Sequence, residues 1–381
     1  MKILAVSHSA LLKSYQEKYE ILANKFGHEV LLLTQKKRAE GGGRVVIAKE
    51  RQAGGLYVKT LSCLLPSSLR RHTYLGLTAY ARGFKPQLIY AENEPQAEST
   101  RQSLAAARKF KSKFVFFTWE NIPQKFTGRK QRIEQYVYKE SDGAISGNRD
   151  GEGILRQQKY QKPTAVIPQY GINPKIFKPQ DDSQLRQSLR LEGNFIVGYV
   201  GRLLPEKNIA SLIQAVRRLP DNVELIILGS GPERETLGNL TSRLGLSERI
   251  KFITAIPYQQ IPLYMNLFNV LVLPSITTAS WKEQFGRVLP EAMACKTPVI
   301  GSDSGEIPNV IGKAGLVFPE GNIDGLVAAI QKLMSDKAFY NQLANKGHVR
   351  AAELYSNEGI ARQMHDFFAS IVKTNGDKNR H

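Results

Sequence analysis

Glu283 and Glu291 stand eight positions apart in the stretch EQFGRVLPE, with Phe285, Gly286 and Pro290 between them. A carboxylate accepts two hydrogen bonds at once, so each acid could grip vicinal hydroxyls of a sugar. Pro290 has no N–H and fits a helix only in its first turn, so a helix should begin a few residues before it. The amides around Phe285–Leu289 would then lack partners within the helix and form a seat for an anion. The plainer reading is one acid at the positive end of a helix and one acid on the surface.

Two further clusters follow strand-like runs. Gly201-Arg202 and Lys207 come directly after FIVGYV. The glycine lets the chain turn, Arg202 offers a planar fork for phosphate oxygens, and Lys207 offers a point charge. Gly229 and Gly231 follow VELIIL, either as a phosphate-approaching loop or as an ordinary strand–helix turn. In the first half, His8 ends a strand, Trp119 could stack on a sugar or pack in the core, and Glu120 could act as a base, a hydroxyl ligand or a structural acid. The two cysteines, Cys63 and Cys295, have no metal-ligand spacing. With no export leader in view, the expectation is two thiols in a cytoplasmic protein without a bound metal.

The elements that position these residues read as two successive α/β series. KILAVS, HEVLLLT, QLIYAE, KFVFFT and GAISG are short apolar runs, with helical spacing over 14–26 and 129–141. Such continuous runs between helices are the mark of buried parallel strands. Residues 160–180 carry four prolines and no helical period, which predicts an interdomain linker. The alternation then restarts: strands at 195–201, 223–231, 250–254, 270–275, 298–303 and 315–319, with helices between them, then helices over 323–335 and 337–372. The expected fold is α/β, two doubly wound Rossmann-like domains facing across a cleft: 1–170, which a C-terminal helix at about 358–381 could rejoin, and 171–357.

At 381 residues the chain is too long for one ordinary core. The net charge of +19 is uneven. Residues 1–175 hold 30 Lys and Arg against 14 Asp and Glu, and the remainder 23 against 20. The densest basic part runs from Arg101 to Arg132. It reads as a solvated face or as a surface for anionic lipid; nucleic acid is not expected as a partner. LSCLLPSSLRRHTYLGL (61–77) mixes apolar residues with Arg70 and Arg71, as an interfacial segment does. No run of about 18 uncharged apolar residues could form a membrane-spanning helix.

GRLLPEK, LGSGPE, LVLPS and above all EQFGRVLPEAMACKTPVIGSDSGEIPNVI resemble the second domain of the retaining glycosyltransferases of the GT-B fold, family 4. The likeness is strong over about 170–335 and weaker over 1–170. It implies transfer of a sugar from a nucleotide-sugar donor, UDP- or GDP-linked, without a metal and with retention, to a glycan or lipid-linked acceptor at the membrane face. It implies that Arg202 and Lys207 bind the diphosphate, that Glu283 holds donor-sugar hydroxyls, and that Glu291 binds the ribose. Phe285, Gly286, Arg287 and Val288, with Gly201, Gly229 and Gly231, complete the donor set. His8, Trp119 and Glu120 are the acceptor-side candidates. The chain departs from the family pattern in four places. It has no glycine-rich loop at 7–15 and no histidine in the segment 117–121; Lys296 and Ala255 replace usual glycines. The alternatives are another enzyme of the same fold, such as a nucleotide-sugar epimerase or a sugar-phosphate synthase, a two-carboxylate glycosidase, or a non-catalytic polyanion binder.

Overall fold

The computed structural model describes residues 1–39, 45–66, 68, 70–191, 193–254 and 256–373. Ala255, Ser67, Leu69 and the tail 374–381 lie outside the described residues. The chain forms two compact units: Met1–Gly171, rejoined by the chain from Asn357 on, and Ile172–Ser356.

The first unit is built on an eight-stranded sheet. Its spatial order is Thr164–Val166, Gly143–Ser146, Lys113–Thr118, Leu88–Glu92, Lys2–Ser7, Glu29–Gln35, Leu56–Leu61 and Arg51–Ala53. All neighbours are parallel except the last pair. The central strand is buried on both faces, which is why it reads as unbroken apolar sequence. Ile3 and Ala5 face one core with Tyr19, Leu22 and Tyr90; Leu4 and Val6 face the other with Leu104 and Phe116. Helix Asn357–Lys373 covers the first core with Ile360, Met364, Phe368 and Ile371, spaced as one helical stripe.

The second unit holds six parallel strands in the order Ile250–Ile253, Val223–Leu228, Phe195–Val200, Val270–Leu273, Val299–Ser302 and Leu316–Phe318. Each sheet winds outward in both directions from a central strand. The winding reverses between Lys2–Ser7 and Leu88–Glu92 in one unit, and between Phe195–Val200 and Val270–Leu273 in the other. The carboxyl ends of those four strands are where loops diverge and leave room for a ligand.

Two expectations are corrected. The stretch 160–180 is not all linker, because Thr164–Val166 pairs with Gly143–Ser146. The helix expected over 337–372 is broken into Lys337–Arg350, a π turn at Ala351–Tyr355, and Asn357–Lys373. The break has a cause: the Tyr355 carbonyl accepts the Ile172 amide at 2.8 Å, and Ser356 is extended (φ −68°, ψ 157°). The stretch 61–77, read as an interfacial segment, carries the hairpin Cys63–Leu64 with Thr73–Tyr74. Helices Leu77–Phe84, Glu98–Lys109 and Arg149–Gln157 were not foreseen.

Phe368 is fully buried with its ring 5.3 Å from that of Tyr90. Phe368→Ala should destabilise the first unit by about 3–5 kcal/mol. The two tryptophans fall one to each unit, Trp119 and Trp281. In single-tryptophan variants, the urea transition seen by Trp119 should move to lower concentration while that seen by Trp281 stays in place.

Candidate functional site

At the switch point of the second sheet, two turns are pressed backbone to backbone. A Cβ on Gly229 would lie 1.8 Å from the Gly201 carbonyl oxygen, and one on Gly231 2.3 Å from that of Leu203. The Leu203 amide donates to the Ser230 carbonyl at 2.9 Å. Gly229 and Gly231 are thus required by packing alone, the ordinary-turn reading of that pair. Beyond this junction the chain makes a 3-10 turn, Pro205–Lys207. Lys207 Nζ lies 2.5 Å from Glu283 Oε2 and 4.6 Å from the Trp281 ring centre.

Glu283 is held from several sides. Ser275 Oγ donates to the same Oε2 at 3.1 Å, and the Glu306 amide donates to the Glu283 carbonyl at 3.0 Å. Gly305 (φ +54°) lies so close that a Cβ there would sit 2.1 Å from that carbonyl. Lys207 and Glu283 side chains are only 13% and 11% exposed. Arg202 is exposed. Its carbonyl accepts the Tyr199 hydroxyl at 2.8 Å, and no carboxylate among the described residues pairs with its guanidinium.

Glu291 lies in the short helix Val288–Ala294 and is buried. Its Oε1 takes Arg287 Nε at 2.9 Å and the Tyr258 hydroxyl at 3.1 Å. Arg287 also bonds the Tyr258 oxygen and lies 5.0 Å from the ring centre. Burial pushes the Glu291 carboxyl upward, while Arg287 and Tyr258 oppose it. The anion seat expected over Phe285–Leu289 is narrower than foreseen, because the Leu289 amide donates to the Gly286 carbonyl at 2.8 Å. The Phe285 side chain is core, edge-on to Tyr355 at 5.6 Å. Gly286 (φ +72°) turns the chain where a Cβ would meet Leu273 at 2.8 Å. Val288 opens the helix. Lys296, in the place of a glycine, takes the left-handed φ of +63° that glycine favours.

The first unit has its own cavity of about 330 Å³, lined by residues that include His8, Arg70, Glu92, Glu94, Trp119 and Gln169. Glu92 ends its strand and is buried. It accepts from Ser7 and Ser9 and pairs with buried Lys18; Lys18 also donates to the Gln169 carbonyl at 2.6 Å. The serines of SHSALLKSY thus tie the first loop to an acid, where the family has glycines. Trp119 donates its indole N–H to Gln169 at 2.6 Å, and its amide donates to Glu94 at 2.8 Å. Its ring fills the place where a Gly147 Cβ would stand, 2.2 Å away, so it both packs and lines the cavity. His8 Nδ1 is buried without a hydrogen-bond partner. Burial, then His72 and Arg38, push the imidazole down to about 3. Glu120 accepts from Gln96 at 3.2 Å. Burial, then Glu94 and Glu134, push its carboxyl up to about 8 against Arg70. A carboxyl shifted this far toward neutral pH is suited to both giving and taking a proton.

Glu92, Glu94, Lys18, Arg70 and Gln169 went unforeseen. The signal for the two acids was their place at the carboxyl end of QLIYAE, beside the first strand. Among the described residues no group of three or more His, Cys, Asp or Glu could hold a metal ion, both cysteines are free, and no helix is long and apolar enough to cross a membrane.

Two doubly wound sheets, with polar clusters at both switch points, are the GT-B architecture. Residues 181–350, within the second unit, match the family model described as Glycosyl transferases group 1. The GDP-mannose-dependent alpha-(1-6)-phosphatidylinositol monomannoside mannosyltransferase of Mycolicibacterium smegmatis is 33% identical over 176 residues, 44% of this chain and 46% of that protein. The chain spans about half the length of the curated relatives it matches. The fold matches Anabaena HepE in complex with UDP (TM-score 0.74, 21% identity, 97% of this chain and 100% of that one). It also matches the sucrose-phosphate synthase of Thermosynechococcus elongatus (TM-score 0.71, 21% identity, 98% and 100%).

The two shifted groups act on stability in opposite directions. The folded state holds a proton on Glu120 that the unfolded chain releases, so stability falls as pH rises from 4.5 to about 8. His8 is neutral when folded, so stability also falls as pH drops from 6.5 toward 3. Glu120→Gln should raise the Tm relative to the parent at pH 8 and leave it unchanged near pH 4.5, as read by calorimetry across that range.

Proposed function

We propose that the chain is a retaining glycosyltransferase that moves a sugar from a UDP- or GDP-sugar to a glycan or lipid-linked acceptor, without a metal. The observation that carries this reading is the Lys207–Glu283 pair. In a nucleotide sugar the terminal phosphate is bonded directly to the anomeric carbon, so phosphate oxygens and ring hydroxyls lie side by side. A cation and a carboxylate 2.5 Å apart match that adjacency. An ammonium has three N–H donors; one meets Glu283, and the others can meet phosphate.

In this reading Arg202 binds the diphosphate with its fork, and Glu283 takes sugar hydroxyls. Glu291, steered by Arg287 and Tyr258, takes the ribose hydroxyls. The loops of Gly201, Gly229 and Gly231 bring backbone close to the donor, and the backbone at Phe285, Gly286 and Val288 adds polar contacts. During transfer the bond from the anomeric carbon to the diphosphate breaks. The acceptor oxygen bonds that carbon on the same face, and the hydroxyl proton passes to the departing phosphate oxygen. Negative charge grows on the diphosphate, so fixed cations there lower the barrier more than they aid binding. They do the work a divalent ion could do. In the first unit, Trp119 offers a stacking face and His8 a neutral imidazole to the acceptor. Glu120 binds an acceptor hydroxyl or takes its proton. Leu64, Leu65 and Leu75 are exposed beside Arg70 and Arg71, a surface suited to an anionic membrane.

A thermal-shift screen against UDP, GDP, ADP and dTDP and their common sugars tests the donor half. A ligand at one hundred times its dissociation constant stabilises by roughly 2.7 kcal/mol, and Glu291→Ala should abolish the shift. Lys207→Ala should lower kcat about 10²–10³-fold. No shift with any nucleotide sugar, or unimpaired turnover by Lys207→Ala, contradicts the reading.

A further inference from the structure

A second cavity of the first unit, about 610 Å³ in volume, is lined by Arg70, Arg71, Arg101, Arg129 and Lys130 against one acid, Glu98. The volume is ordinary for a ligand site; the lining is not. Glu98 is already used, because Arg101 pairs with it at 2.8 Å and Arg129 also bonds it. Among the described residues Arg70, Arg71 and Lys130 form no salt bridge. The basic residues on the far side of the same sequence run differ: Arg108 and Lys113 are matched to Glu140 and Asp142. Three cations outside any described ion pair therefore line the cavity.

The helix at its edge breaks a local rule. Gly128–Glu140 has no acid in its first turn and no side-chain cap; it opens with Gly128, Arg129 and Lys130. Cations at the positive end of a helix dipole are unfavourable, and such conflicts concentrate at functional sites. An anion in the cavity relieves the repulsion. The mouth is fixed to the scaffold, since the Glu98 amide donates to the Arg70 carbonyl at 3.0 Å. Arg70 lines both this cavity and the one with His8, Trp119 and Glu94, so the two share that residue as a wall.

We propose that this cavity binds a phosphate or diphosphate group of the acceptor, whose hydroxyl then lies past Arg70 in the His8–Trp119 cavity. The acceptor is thus a phosphate-bearing molecule. Naming it an acceptor rests on the glycosyltransferase reading; the anion site does not.

The test is calorimetric titration with inorganic pyrophosphate, at low and moderate salt, of the full chain and two variants. R71E/K130E alters the cavity at two exposed residues outside any described ion pair. R202A/K207A alters the donor cations. The parent should show two classes of site. R71E/K130E should weaken one class about tenfold to a hundredfold with an unchanged Tm, and R202A/K207A should weaken only the other. Loss in R202A/K207A alone overturns the cavity proposal and leaves the donor reading standing; loss in R71E/K130E alone does the reverse. Two further arms separate the sources of phosphate. Cosedimentation with phosphatidylglycerol–phosphatidylcholine vesicles that pyrophosphate and R71E/K130E both suppress supports a lipid-borne phosphate. Displacement of pyrophosphate by glucose 1-phosphate, with no vesicle binding, supports a soluble phosphosugar.

Discussion

The second unit turns on one contact, the ammonium of Lys207 against the carboxylate of Glu283. A largely buried charge is costly unless it is paired and its remaining bonding capacity is met. Each member is therefore placed by more than its partner. The 3-10 turn at Pro205 and the face of Trp281 hold Lys207, while Ser275, Glu306 and the close approach of Gly305 hold Glu283. These supports come from loops leaving the strands on the two sides of the switch point, together with the loop after strand Val299–Ser302. The sheet order is thus a precondition for the pair. Arg202, exposed and without a carboxylate partner among the described residues, adds cation capacity at the same edge.

The first unit repeats the plan with a different chemistry. There the switch point is sealed by Lys18 and Glu92, joined by Ser7, Ser9 and the Gln169 carbonyl. Burial this deep makes the pair a rigid floor rather than a reactive group. Burial raises the carboxyls of both Glu94 and Glu120, and neighbouring acids add to it, Glu134 at Glu94 and Glu94 with Glu134 at Glu120. Arg70 opposes both shifts, and it also lines the basic cavity. One arginine thereby stands between the buried acids and the basic cavity.

Much of the fold was legible because parallel strands buried on both faces leave long apolar runs, as in VELIIL and KFVFFT, and because prolines and glycines punctuate them. The short strands Lys37–Ala39, Val45–Ile47, Arg51–Ala53, Cys63–Leu64 and Thr73–Tyr74 were not legible, because they pair in local hairpins too short to leave a periodic pattern. The break at Ser356 was also hidden. It depends on a carbonyl captured by Ile172, far away in sequence, while the local spacing stays helical. Glu283, Glu291, Arg202 and Lys207 were singled out from type and place, and the structure sets Lys207 against Glu283. That Glu291 is shared with Tyr258 and Arg287, or that Lys207 meets Glu283 rather than a free approach, was not legible, because such pairings are set by tertiary packing. Gly229 and Gly231 looked like ligand-contacting glycines, and their immediate constraint is the neighbouring turn.

The central claim is that Lys207 and Glu283 act on the donor as a coupled unit. A double-mutant cycle of Lys207→Ala and Glu283→Ala, read as the binding free energy of UDP-glucose or GDP-mannose by calorimetry, tests it directly. The account predicts a coupling energy of about 0.5–3 kcal/mol, with the double variant losing less than the sum of the single losses. Strictly additive losses, or binding that neither substitution changes, contradict it.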